Sequence, residues 1–196
     1  KALSCNLSHE RAWQRMLEDG HGSALILEDD AILSRSLPEF LAALDGATVP
    51  YSLIRIETRH NSVGVLPIEG MLTETIALRR CRSTNAGSAG YVIRADLAKA
   101  LLGSVEMRVL LIDGLLYHPF IPIARKLDVG YTDPALCIQL DASDRHTEPT
   151  AASNLRGPRD KGIYARKHPI RRFGRKVLSW FTIDARSAWD HFYWSR

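Results

Sequence analysis

Three adjacent acids, Glu28, Asp29 and Asp30, follow the apolar run Ala24 to Leu27 without a break. In an extended segment, side chains two residues apart share a side, so Glu28 and Asp30 are expected to converge while Asp29 faces the other way. Two hard carboxylate oxygens on one side suit Mg²⁺ or Mn²⁺, ions that keep positions for water and substrate phosphates. A diphosphate neutralised in this way leaves more readily. The competing reading is an ordinary acidic turn. Position at the end of a buried-looking strand favours the ligand reading, because α/β sheets bind ligands beyond the carboxyl ends of their strands.

The surrounding pattern supplies elements to position these acids. Trp13, Met16 and Leu17 repeat at helical spacing within residues 6–19, with Asn6 or Ser8 able to cap the start and Gly20 closing the end. Ser36, Pro38 and Glu39 predict a helix from Pro38 to Leu44, stopped by Gly46. Strands are expected at Ala24 to Leu27, Tyr51 to Ile56, Thr75 to Arg79, Tyr91 to Ile93 and Ala135 to Leu140. Helices are expected at Ala95 to Leu102, with Leu97, Leu101 and Leu102 inward, and at Ile112 to Tyr117. The stretch from Glu57 to Glu74 reads as a long loop with a small hairpin around Val65 and Leu66. The alternation gives a mixed α/β fold, with its domain ending near residue 150.

Composition bounds the function classes. The 196 residues suffice for one sizeable core. Neither a run of apolar residues long enough to span a bilayer nor a signal peptide stands out, so the expectation is a soluble, cytoplasmic protein. Cys5, Cys81 and Cys137 lack metal or redox spacing and read as free thiols. Residues 156–196 hold 11 basic and 3 acidic residues, whereas the preceding chain holds 15 and 19. An acidic body with a basic tail argues against nucleic acid as partner.

Four segments carry a resemblance: SCNLSHERAW at 4–13, ALILEDDAIL at 24–33, AGSAGYVIRADLAKALL at 86–102 and IDGLLY at 112–117. In order and spacing they resemble glycosyltransferase family 25, the lipooligosaccharide-biosynthesis glycosyltransferases, over residues 4–140. The resemblance implies a GT-A-like (Rossmann-like) mixed sheet flanked by helices. It also implies inverting transfer of galactose or glucose from a nucleotide-diphosphate donor, with a UDP-hexose expected, to lipopolysaccharide or another surface glycan. Glu28, Asp29 and Asp30 then correspond to the family's metal motif, with Mn²⁺ or Mg²⁺ as cofactor. A strand and helix that help bind the nucleotide normally precede the Cys-Ser-His segment in this family, and the sequence from Lys1 does not carry them.

An inverting transfer needs a base for the acceptor hydroxyl. Asp113, set between Leu110-Leu111-Ile112 and Gly114-Leu115-Leu116, is the candidate, with a helix-capping role as the alternative. Ser8 and His9 match the family segment and are expected to orient the donor or the metal shell, although a histidine beginning an amphipathic helix is more often a hydrogen-bonded structural residue. Asn85, Gly87 and Gly90 allow close backbone approach to a sugar, on whose apolar face Tyr91 can pack; a tight turn into a core strand is the competing reading. Asp144, Arg145 and His146 stand where GT-A enzymes often bring a third metal ligand.

The tail, residues 151–196, interleaves Arg166, Lys167, Arg171, Arg172, Arg175 and Lys176 with Phe173, Trp180 and Phe181. That pattern predicts a peripheral contact with the inner membrane through 161–181, where each basic residue adds on the order of 1 kcal/mol. Packing of the aromatics onto the domain is the alternative. Two other functions compete with the transferase: a non-catalytic glycan- or membrane-binding relative, and a metal phosphoesterase.

Overall fold

The structure is a computed structural model. It describes residues 2–59, 63–68, 70–81, 87–118 and 121–140, together with a two-residue strand at 182–183.

Helix α1 (Ala2–Glu18) carries Trp13 and Met16 into the core at 0% and 3% exposure, as their spacing predicts. It starts earlier than expected, and Asn6 lies inside it. Instead of capping the helix, the Asn6 amide clamps a distant segment: Nδ2 donates to Met107 O and Leu110 O, and Oδ1 accepts from Ile112 N–H.

Strands β1 (Ser23–Leu27) and β2 (Ala31–Leu33) flank the acids, and α2 (Leu37–Asp45) follows, ending at Gly46. The chain continues through β3 (Leu53–Arg55), β4 (Glu57–Thr58), β5 (Val63–Gly64), β6 (Gly70–Met71), β7 (Ala77–Arg80) and β8 (Gly90–Arg94). Then come α3 (Ala95–Leu102), α4 (Glu106–Val109), α5 (Ile112–Tyr117), α6 (Pro122–Arg125), β9 (Val129–Asp133), β10 (Cys137–Gln139) and β11 (Thr182–Ile183).

The main sheet has the order β1-β8-β3-β9-β7-β6 and is mixed: β3 and β9 run parallel, and the other neighbours antiparallel. A second sheet, β2-β10-β4, is built from segments that follow the main strands, and β11 pairs with β5. The strand alternation sends Leu53, Tyr91 and Ile93 to one face and Ile54 and Val92 to the other. The first face packs on α1, α3 and α5 through Trp13, Leu97, Leu101, Leu115 and Leu116. The second packs on α2 through Leu37 and Phe40. The architecture is therefore α/β, with a mixed sheet flanked by helices.

Two expectations fail. Residues Glu57 to Glu74 hold three short strands, and Val65 bridges Cys81 rather than forming a local hairpin. Strand β9 has no counterpart in the sequence reading, because VGYTD carries a glycine and two polar residues. Position between β3 and β7 buries it regardless. Of the basic tail only 182–183 is described, so the proposed membrane stretch 161–181 lies outside the described residues. So do Asn85, Asp144, Arg145 and His146.

Candidate active site

Helix α1, the end of β1, the entry to β8 and the end of β10 meet at one corner. Glu28 N–H extends the ladder to Ala89 O at 3.0 Å, and an Ala31 N–H to Glu28 O bond of 3.2 Å then reverses the chain. The acids thus occupy a tight turn rather than the extended segment their spacing predicts. Glu28 and Asp30 still converge, for a different reason: Gln139 Nε2 donates to Glu28 Oε2 at 3.0 Å and reaches Asp30 Oδ1 at 3.4 Å. Asp29 is exposed. Among the described residues the three-donor group with all atoms within 4.8 Å of one another is Cys5, His9 and Glu28, not the three acids.

Glu28 is held ionised. Burial alone would raise its pKa, but the His9 and Ser88 side chains approach it as donors, and the charges of His9 and Arg59 add to them, so it lies below the ordinary carboxylate value. Ser88 Oγ donates to Oε1 at 2.6 Å, and His9 Nε2 stands 3.6 Å from the same oxygen. Arg59 in turn donates to Gln139 Oε1.

Behind this corner His9 is 4% exposed and is fixed by two aromatic residues. Trp13 Nε1 donates to the Tyr91 hydroxyl oxygen at 3.0 Å, and that hydroxyl lies 2.7 Å from His9 Nδ1. An indole N–H can only donate, so the Tyr91 proton is available to Nδ1 while Nε2 points at Glu28. Tyr91 is 0% exposed and its ring stacks on His9. The structure therefore gives Tyr91 the task of orienting His9 and leaves no face open for a sugar. Gly90 is also enclosed: a Cβ there would lie 2.9 Å from Cys137 Sγ and 3.0 Å from Ile56 Cγ1, so its small size serves core packing. Ser8 is exposed and donates back to Ser4 O at 3.2 Å, one turn earlier on α1.

Asp113 lies half-buried in the first turn of α5 and accepts from the adjacent Gly114 N–H at 2.7 Å. Burial, then the negative charges of Glu28 and Asp113, push the Cys5 thiol up to about 11.

Sequence reasoning missed a second acid. Glu57 is fully buried; its Oε2 accepts from Ala89 N–H at 3.0 Å and from Arg55 Nη2 at 3.3 Å. Arg55 is itself 2% exposed, with its guanidinium 4.9 Å above the Tyr117 ring. Burial pushes the Glu57 pKa up against the pull of Arg55. Burial alone would lower the Arg55 pKa, but the attraction of Glu57, with smaller contributions from Tyr117, Tyr131 and Cys81, leaves it above its ordinary value. Arg55 therefore stays charged beside Glu57. Gly87, at φ +109°, is required here, since a Cβ would fall 2.4 Å from Glu57 Oε1. The available signal was LIRIE at 53–57, where Arg55 and Glu57 interrupt an apolar strand on one side.

The sequence profile described as Glycosyltransferase family 25 (LPS biosynthesis protein) matches residues 1–116. That span holds Cys5, His9, Glu28, Asp30, Glu57, Ser88 and Asp113. Lacto-N-neotetraose biosynthesis glycosyltransferase LgtE of Neisseria gonorrhoeae is 25% identical over 145 residues, and that of Neisseria meningitidis serogroup B is 24% identical. Each alignment covers 69% of this chain and 51% of the relative, so the chain spans about half the length of the curated relatives it matches.

Proposed function

The chain belongs to glycosyltransferase family 25, and on that premise we propose that it transfers a hexose, galactose or glucose, from a nucleotide-diphosphate donor to a lipopolysaccharide or related surface glycan. The observation that carries this reading is the Glu28 carboxylate joined to Asp30 through Gln139 at the end of a sheet strand.

The donor set fits a hard divalent cation, Mn²⁺ or Mg²⁺, held by Glu28 and Asp30. When bound, such an ion neutralises charge on the departing diphosphate. Asp29, exposed in the same turn, is the third carboxylate proposed for the ion. Gln139 and Ser88 orient the Glu28 oxygens and His9 stands behind them, so these three act on the ligand rather than on substrate. Asp113, on the neighbouring helix, serves as base for the acceptor hydroxyl in an inverting displacement on a GT-A-like scaffold. Work at the cytoplasmic face, with residues 161–181 touching the inner membrane, belongs to the same proposal. Among the described residues no helix is long and apolar enough to cross a membrane.

The test is a transfer assay with UDP-galactose and UDP-glucose, a lipooligosaccharide acceptor and Mn²⁺, run with and without chelator. Product is expected only with the cation, and Glu28→Gln should lower its rate by about 10–100-fold or more. Glycan binding with no donor affinity would replace the transferase by a binding relative. Phosphate release without a glycosylated product would replace it by a phosphoesterase.

A further inference from the structure

Cys5 and His9 sit one turn apart on α1, on the side that meets the end of β1. Their donor atoms and a Glu28 oxygen lie within 4.8 Å of one another, and His9 Nε2 stands 3.6 Å from Glu28 Oε1. A gap of 3.6 Å is long for a hydrogen bond, yet close to what an ion would impose. Tetrahedral zinc, with bonds of about 2.0–2.3 Å, separates its donors by roughly 3.3–3.6 Å. Two of the three donors are already near that spacing, and the Cys5 sulfur lies within 4.8 Å of both.

We propose that Cys5 Sγ, His9 Nε2 and Glu28 Oε1 form a three-ligand site for a zinc-class cation, with a fourth position open. The sulfur and imidazole donors select a thiophilic ion, whereas Mg²⁺ and Mn²⁺ prefer oxygen alone. The supporting shell is present on two of the three ligands. Tyr91 meets the far nitrogen of His9; with the imidazole proton shifted from Nε2 to Nδ1, the Tyr91 oxygen accepts from it and the Nε2 lone pair is left for the ion. Ser88 and Gln139 fix the two Glu28 oxygens. On binding, the Cys5 thiol gives up its proton to the solvent and the thiolate coordinates. No electron is transferred; the S–H bond breaks, and the imidazole proton passes from Nε2 to Nδ1. Glu28 is shared with the hard-cation proposal, so a thiophilic ion here withdraws it from that role. The site itself stands on Cys5 and His9 and does not depend on the transfer reaction.

Cobalt reports the chemistry directly, because a thiolate ligand gives Co²⁺ an intense near-ultraviolet charge-transfer band. Titrating the intact chain with Co²⁺ should produce that band at one equivalent, and Zn²⁺ should abolish it by displacement. Cys5→Ser should remove the band and weaken Zn²⁺ binding by about tenfold or more, while Cys81→Ser leaves both unchanged. A readout without substitution is iodoacetamide labelling mapped by peptide mass. Zn²⁺ should slow labelling of Cys5 by about tenfold or more, and Mn²⁺ should not. A band that persists in Cys5→Ser, or Cys5 labelling indifferent to Zn²⁺, overturns the proposal. Neither result touches the transferase reading, which is tested with Mn²⁺ and a sugar donor.

Discussion

Glu28 and Glu57 lie on either side of the short segment Ser88-Ala89, yet the fold treats them in opposite ways. Glu28 ends an edge strand with its side chain 19% exposed, receives donors from Ser88 and Gln139, and keeps its charge more readily than a free carboxylate. Glu57 is sealed at 0% exposure beside the buried Arg55, and burial raises its pKa. Part of the difference is in the donors: Oε1 of Glu57 receives no hydrogen bond among the described residues, whereas both oxygens of Glu28 do. A carboxylate with donors and some water is suited to meet a ligand. A carboxylate whose main partner is a buried guanidinium is suited to hold a segment in place.

The sharpest way to break this contrast is Glu57→Ala. It removes the carboxylate partner of the buried Arg55 and should cost about 3–5 kcal/mol in urea denaturation. A cost no larger than that of Glu28→Gln would erase the distinction. Gly87→Ala should come next, at about 1–3 kcal/mol, because it combines a positive φ with intrusion on the Glu57 carboxylate. Tm loss measured by calorimetry checks it.

Glu28→Gln should cost about 1–2 kcal/mol by the same denaturation and change the acid limb of the stability curve. A carboxylate whose folded pKa is depressed adds stability that is fully present above its ordinary value of 4.5 and is lost as pH falls through the folded value. In chelator-treated protein the substitution should flatten that part of the limb. Glu57 has the opposite sign: its contribution is present below 4.5 and fades as pH rises through its raised value. The smallest effect is expected for Ser8→Ala, within about 0.5 kcal/mol, because that exposed hydroxyl bonds only its own helix. A large loss of donor binding in this variant would move Ser8 into the site.

Periodicity made much of the frame legible. Trp13 and Met16 read as an inward helical face, Leu97 and Leu101 likewise, and the strand that delivers Glu28 was evident from ALIL followed by acids. What pattern could not convey was pairing across distance. Asn6 looked like a cap because caps use the same side chain, but its partners are about a hundred residues away. Gln139 carries no local signal for binding Glu28 and Asp30. Arg55 and Glu57 were passed over because charged residues in a strand normally face water, and only the packing of α5 and β8 around them shows otherwise. Cys5 read as a free thiol and His9 as a binding residue. That both meet Glu28 was not legible, since it depends on how α1 settles against β1.

Ala89 has a consequence beyond its size. Its amide hydrogen is committed to the Glu57 side chain and its carbonyl to the backbone of Glu28, so a single residue joins the two acidic neighbourhoods. Tilting that link to accommodate a guest beside Glu28 strains the hidden ion pair as well. A displacement of Ala89 would therefore be felt at both acids, although no solute reaches that residue.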